Sequence, residues 1–385
     1  MTSVLSLFTS SAAAAGTLPP GKGDLATLAK TADVPTLTVH VRQHPQDRDA
    51  LESAMVRAGR SGDVSRMAQA LKTPDYEVAV WNRYGKIGGP AFPNRAAGDP
   101  AFRVGESAAW ETLQAAGKVT APERHVISHM SASEGRLDSV QAYDNQIVSV
   151  GAMQKTVNPQ GTGEFPRQVW DFKEANPDKY RTLFADRGWT VERVAKGHSD
   201  ASFALRLTVD GKTPTAPETA AYIKDRSAPD HWGTALDPLQ KAGRDPDFQA
   251  QQIKDFQTRL TAAVGTVPAG AAYTRPAGDY VTSEQGAAMI LNHHVNRPAH
   301  VDNAFGAALD TFYAANPKAS RDPATWTAEQ RTTYEADILA NYSTERASTN
   351  YKPQMTHATE RAERIMGPSS PLSAVPGSFT RTATP

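Results

Sequence analysis

One stretch of the chain, residues 125–154 (HVISHMSASEGRLDSVQAYDNQIVSVGAMQ), gathers the side chains best suited to acid–base chemistry. Val126, Met130 and Glu134 stand at i, i+4 and i+8, so on a helix they share one face that begins apolar and ends in a carboxylate. Gly135 follows in the place where a helix commonly stops. A carboxyl group at the end of a buried face loses water, and desolvation raises its pKa. Such a group can hold a proton near neutral pH and give it to the leaving oxygen of a sugar, as the acid of glycoside hydrolysis does. The plainer reading of Glu134 is a surface residue near a helix C-terminus, although the helix dipole disfavours an anion there. Sugar hydrolysis commonly uses a second carboxylate as base or nucleophile. Asp138 and Asp144 are the candidates, and Asp144 is preferred because Tyr143 beside it could stack on a sugar ring. Its competing reading is a turn made by Asp144-Asn145.

After Glu134-Gly135 come Asp138, Asp144 and then Ser149-Val-Gly151-Ala-Met-Gln154. This order resembles the goose-type lysozyme and lytic transglycosylase superfamily, in which a Glu ends a helix and a Ser-x-Gly-x-x-Gln pattern lies beside it on a short turn or ribbon. Within that superfamily it resembles the muramidase effectors delivered by bacterial type VI secretion systems. The resemblance implies a lysozyme-like helical domain and a glycosidase acting on the MurNAc–GlcNAc β-1,4 bond of peptidoglycan. It gives Glu134 the role of acid and Asp144 that of second carboxylate, and puts Tyr143, Gly151 and Gln154 at the substrate, Gly151 letting the backbone pass close to the sugar chain. It further implies an antibacterial protein acting in the periplasm of a target bacterium, with an immunity protein and a secretion component as partners. The segment around Asn296-Arg297-Pro298 and Asp302-Asn303 resembles those effectors too, and some of them bind calcium near the cleft. The oxygen donors that match are Ser149, Gln154, Asp302 and Asn303, of the kind calcium takes. Read without the resemblance, Asp302 is equally a first-turn residue facing a helix dipole. Two alternatives stay open: a lytic transglycosylase using the same Glu134, and a wall-binding or phage-tail protein with no catalysis.

The elements that must position these residues are mostly helices. Thr120-Ala-Pro-Glu123 is a capping box with proline in the first turn, opening the helix that leads to Glu134. Apolar residues at helical spacing predict helices over 47–71 (broken at 59–62), 106–116, 167–174, 178–185, 247–264, 283–295, 301–315 and 327–342. Residues 203–208 read as a strand entering a turn at Asp210-Gly211, and a small β ribbon is expected near 140–155. Trp170, Phe184 and Trp189 are spaced for packing on a core, with stacking on a sugar the alternative reading. Adjacent His293 and His294 point to different sides of a helix, and with no Glu-x-x-His nearby they do not suggest zinc.

The fold expected is mainly α, in four parts: a flexible tail over 1–35, an N-terminal helical segment over 36–118, a catalytic domain over 119–366 and a flexible tail over 367–385. The chain's 385 residues suffice for one large or two ordinary domains. Lys plus Arg and Asp plus Glu number 41 each, a zero balance that argues against a nucleic-acid binder. There are no cysteines, which excludes disulfides, thiolate metal sites and thiol nucleophiles. No stretch approaches the ~20 apolar residues of a membrane span. The opening MTSVLSLFTSSAAAAG imitates a signal peptide but lacks a positive n-region and a sustained apolar run.

Overall fold

Helices take up most of the computed structural model, which describes residues 24–71, 77–79, 89–91, 100–132, 134–194, 202–225, 230–348, 350–352, 354–355 and 357–382. The first four, α1 (Asp24–Thr31), α2 (Val34–Gln43), α3 (Arg48–Arg57) and α4 (Ser61–Leu71), pack α1 on α3 and α2 on α4. They bury a core of their own around Leu28, Leu37, Leu51, Met55 and Met67. Residues 24–35 thus belong to this unit, which corrects the tail expected to reach residue 35; residues 1–23 lie outside the described residues. Asp33 accepts from Thr36 N at 2.9 Å and so starts α2, whose β-branched residues carry no helix signal by themselves.

Next come β1 (Glu77–Ala79) and β2 (Gly89–Ala91), then α5 (Ala109–Ala115) and α6 (Ala121–Ser131). Trp110 of α5 is fully buried in the same core as Val126 and Ile127 of α6, and its indole donates to Val104 O at 2.6 Å. The expected boundary at 118/119 therefore falls inside one core and is corrected: residues from 104 onward pack with the helices that follow. The capping box holds as the sequence predicts, with Glu123 N donating to Thr120 Oγ1 at 3.2 Å and Thr120 N to Glu123 Oε2 at 2.7 Å.

Short strands β3 (Val140–Gln141), β4 (Val148–Val150) and β5 (Lys155–Val157) extend the sheet in the order β1-β2-β3-β4-β5, each pair antiparallel. Ser149 faces Gln141 on one side and Thr156 on the other. Behind them lie α7 (Glu164–Ala175), α8 (Pro177–Leu183), the hairpin β6 (Trp189–Val194) and β7 (Ser202–Leu207), α9 (Ala216–Lys224), α10 (Asp230–Ala235) and α11 (Asp237–Arg244). These elements share a second core in which Phe165, Phe172, Phe184 and Trp189 are fully buried. Trp170 is partly buried and lies 5.1 Å from the Phe203 ring.

The helix α12 (Pro246–Val264) joins the two cores: Phe248 packs in the second, whereas Ile253, Phe256 and Leu260 pack in the first. Then follow α13 (Ala277–Tyr280), α14 (Glu284–Asn296), α15 (Val301–Ala315), α16 (Ala328–Arg346) and α17 (Ala358–Met366). Residues 367–382 are bound rather than the free tail that their Pro, Ser and Thr content suggests. Leu372 is buried, Ser373 N donates to Glu284 Oε2 at 2.9 Å, Phe379 N to Thr282 O at 3.0 Å, and Thr382 Oγ1 to Glu123 Oε2 at 2.7 Å. The architecture is thus mainly α with small antiparallel sheets. No described helix is long and apolar enough to cross a membrane.

Candidate functional site

The helix α6 ends at Ser131, three residues short of Glu134. Ser131 O accepts from both Glu134 N (3.0 Å) and Gly135 N (3.1 Å), so the backbone closes into a turn there. This corrects the expectation that Glu134 lies on the helix. Val126 and Met130 do form a buried face, but Glu134 is carried past it by the turn, with a side chain 13% exposed.

The turn brings Glu134-Gly135 against the Ser-x-Gly-x-x-Gln segment between β4 and β5. A Cβ placed on Gly135 would lie 3.0 Å from Gln154 Nε2 and 3.2 Å from Gly151 O. Gly151 N donates to Ser139 O at 2.7 Å, and Gln154 Nε2 donates back to Gly151 O at 2.8 Å. Both Gly151 (φ 77°) and Gln154 (φ 49°) adopt the left-handed conformation, natural for the glycine and costly for the glutamine. The close approach that demands glycine at 151 is to Gln252 of α12, whose Oε1 would lie 2.2 Å from a Cβ there. Gln252 Oε1 accepts from Ala152 N at 3.1 Å and its Nε2 donates to Leu137 O at 2.8 Å. One buried amide of α12 therefore fastens the loop after Glu134 to the hairpin turn.

Glu134 is not a lone desolvated carboxylate, as the sequence suggested. Arg361 Nη1 of α17 lies 2.6 Å from Glu134 Oε1, and Asn296 Nδ2 at the end of α14 lies 3.5 Å from the same atom. Glu134 is one half of an ion pair, and a proton donor has to be neutral, so donation requires the pair to separate. A second guanidinium, Arg346, is 1% exposed behind the site and donates to Met289 O (3.2 Å) and Asn292 Oδ1 (2.6 Å). Burial pulls Arg346 down to about 10.

The other expected site residues are placed as follows. Asp144 Oδ1 accepts from Gln146 N at 3.0 Å, the side-chain turn of the plainer reading, and Lys224 Nζ donates to Asp144 O (2.5 Å) and Gln146 O (2.6 Å). Burial lowers the Lys224 pKa, against the pull of the Asp144 charge. Tyr143 next to it is partly buried. Asp138 is fully buried between Arg136 (Nε–Oδ1 3.0 Å) and Arg244 (Nε–Oδ2 3.1 Å). Burial raises its pKa and outweighs the two arginines. Asp138 is thus a tie between the loop and α11, where Gly243 passes so close that a Cβ would sit 2.3 Å from Leu137 O.

Ser149 is buried in β4, and Gln154 Oε1 is buried with no hydrogen-bond partner, a donor oxygen that could serve a cation. Asp302, in the first turn of α15, accepts from Asn303 Nδ2 at 3.0 Å, and Asp302 O accepts from Ala269 N at 2.9 Å. No hydrogen bond joins the 149–154 segment to Asp302 or Asn303 among the described residues, and no group of three His, Cys, Asp or Glu is arranged to hold a metal there. His293 and His294 diverge as expected. His293 is buried, with Nδ1 2.8 Å from Tyr342 Oη, and burial chiefly, with Arg346 next, pulls it down to about 3.

A groove of about 730 Å³ adjoins this constellation, between β5–α7 on one side and α12 on the other. Met153, next to Gln154, and His294, two residues before Asn296, line it. Sequence reasoning missed Arg361, Gln252 and the role of Asn296. Arg361 is 227 residues from Glu134, and no local pattern could have linked them. Of the glutamines Gln249, Gln251 and Gln252 on α12, Gln252 bonds to Leu137 O, Gln249 to Gly243 O and Gln251 to Asp255 of its own helix, so their shared residue type did not single out Gln252. No family model, curated protein or solved structure matches the chain.

Proposed function

We propose that the protein is a peptidoglycan glycoside hydrolase, a muramidase, with Glu134 as general acid. The observation that carries this reading is the packing of the Glu134-Gly135 turn against Gly151 and Gln154. Those two segments are also the ones on which the sequence resembles lysozyme-superfamily enzymes. In this reading substrate enters beside Gln154 and the Glu134–Arg361 pair parts. The freed carboxylate takes up a proton from water, and that proton then passes to the glycosidic oxygen as the C1–O bond breaks. Water adds to C1 and returns a proton, with Asp144 the proposed second carboxylate and Tyr143 a stacking surface. An antibacterial role in the periplasm of a target cell, with a secretion component and an immunity protein as partners, is part of the same proposal and rests on the resemblance alone. Calcium at Ser149, Gln154, Asp302 and Asn303 is a separate proposal, supported by the partnerless Gln154 Oε1. The ion pair on Glu134 favours one second reading, a wall-binding protein without turnover. Digestion of purified peptidoglycan, with mass spectrometry of the products, tests both. Saccharides bearing an added water, formed by the wild type and not by Glu134→Gln, support the hydrolase; an anhydro product would assign a transglycosylase; no product would favour the binding protein.

A further inference from the structure

We propose that the groove beside Glu134 recognises a short peptide carrying both carboxylates and ammonium groups, namely the peptide substituent of the glycan strand; the choice of this peptide rests on the glycosidase reading. The groove is large enough for a small ligand, and its lining residues Met153 and His294 stand one and two residues in sequence from Gln154 and Asn296 of the Glu134 site. Its polar walls carry both signs of charge. Lys155 of β5 pairs with Asp255 of α12, and Arg259 of α12 pairs with Glu164 of α7, so two ion pairs reach from wall to wall. They differ in how firmly they are held. Asp255 also accepts from Gln168 Nε2 (2.7 Å) and Gln251 Nε2 (2.8 Å), which fixes it in place.

The second pair is uneven. The Arg259 side chain is 19% exposed, whereas that of Glu164 is 55% exposed. An exposed ion pair is weakly held, and its outer member can swing into water. A ligand carboxylate can then replace Glu164 on the guanidinium in the two-pronged geometry that arginine favours. The displaced Glu164 is left to receive the ligand's ammonium, whereas Asp171 further along is already held by Arg167 Nε at 2.8 and 2.9 Å. An uncharged polysaccharide gains nothing from this exchange; a peptide with alternating charges does. Met153 and Phe203 supply apolar surface for its alanine methyl groups.

The test is calorimetric titration of the intact protein with free L-Ala-γ-D-Glu-diaminopimelate-D-Ala, with no glycan present. Saturable binding is expected, weakened at least about tenfold by Arg259→Gln, the scale of a charge-assisted hydrogen bond. Converting the peptide carboxylates to amides should weaken binding to the wild type comparably, and this arm does not depend on the variant's folding. No saturable binding, or equal affinity for the amidated peptide, overturns the proposal. The two readings fail separately: peptide binding by a protein that cleaves no wall overturns the Glu134 assignment alone, and wall cleavage without peptide binding overturns this one.

Discussion

Replacing Arg361 with Met keeps the length of the side chain on α17 but removes the cation from Glu134. The two side chains are 14% and 13% exposed, and the closest approach is 2.6 Å. Unit charges about 4 Å apart gain about 4 kcal/mol at the effective dielectric near a protein surface. Desolvation of both ions and the remaining solvent contact take back roughly half, placing the pair between an exposed bridge and a fully buried one, at about 2 kcal/mol. Urea unfolding of wild type, Glu134→Gln, Arg361→Met and the double variant forms a cycle that isolates this coupling. At about 1.2 °C per kcal/mol for a chain of this length, Arg361→Met should also lower Tm by roughly 2–3 °C. A coupling energy below about 0.5 kcal/mol would show that the pair is incidental and refute the reasoning. The same variant bears on chemistry: because the pair must separate before Glu134 can take up the proton it donates, Arg361→Met should retain wall turnover. If it proves as inactive as Glu134→Gln, that inference is wrong.

The remaining predictions concern other parts of the site. Glu134→Gln should fold normally and lose at least about a hundredfold in wall turnover, measured by release of soluble muropeptides. Gly151→Ala should cost about 2–4 kcal/mol, since it meets Gln252 Oε1 at 2.2 Å in a left-handed conformation, while Gly135→Ala, with nearest atoms at 3.0–3.3 Å, should cost clearly less; chemical denaturation compares them. His293, held near 3 in the fold against 6.5 unfolded, is neutral when folded, so the unfolded chain binds the extra proton below pH 6.5. Stability should fall by up to about 1.4 kcal/mol per pH unit on this account between pH 6.5 and 3, and His293→Asn should show a flatter profile over that window. Excess chelator should reduce wall turnover and calcium restore it if the proposed cation site operates; activity unchanged by chelation removes calcium from the account.

What the sequence made legible was local. The capping box at Thr120–Glu123 marks the start of α6, the apolar spacing over 301–315 gives α15, and a small ribbon expected near 140–155 is present as β3 to β5. What it hid was set by tertiary contact. α6 was expected to run to Glu134, but Ser131 O takes two backbone donors and turns the chain first. Residues 367–382 are tied down by backbone hydrogen bonds, which leave no periodic trace in side chains, so their composition imitates a tail. The pairing of Glu134 with Arg361 depends on two elements far apart in the chain, each unremarked by its own neighbours in sequence.

The last helix and the bound segment behind it hold α6 from both directions: Arg361 meets the turn beyond its C-terminal end, and Thr380 and Thr382 bond to Thr120 and Glu123 at its start. On the ribosome, α6 and Glu134 emerge more than two hundred residues before these partners do. A growing chain that has already made its proposed acid therefore lacks the contacts that brace it. The contacts that complete the proposed site can form only after more than two hundred further residues have been synthesised.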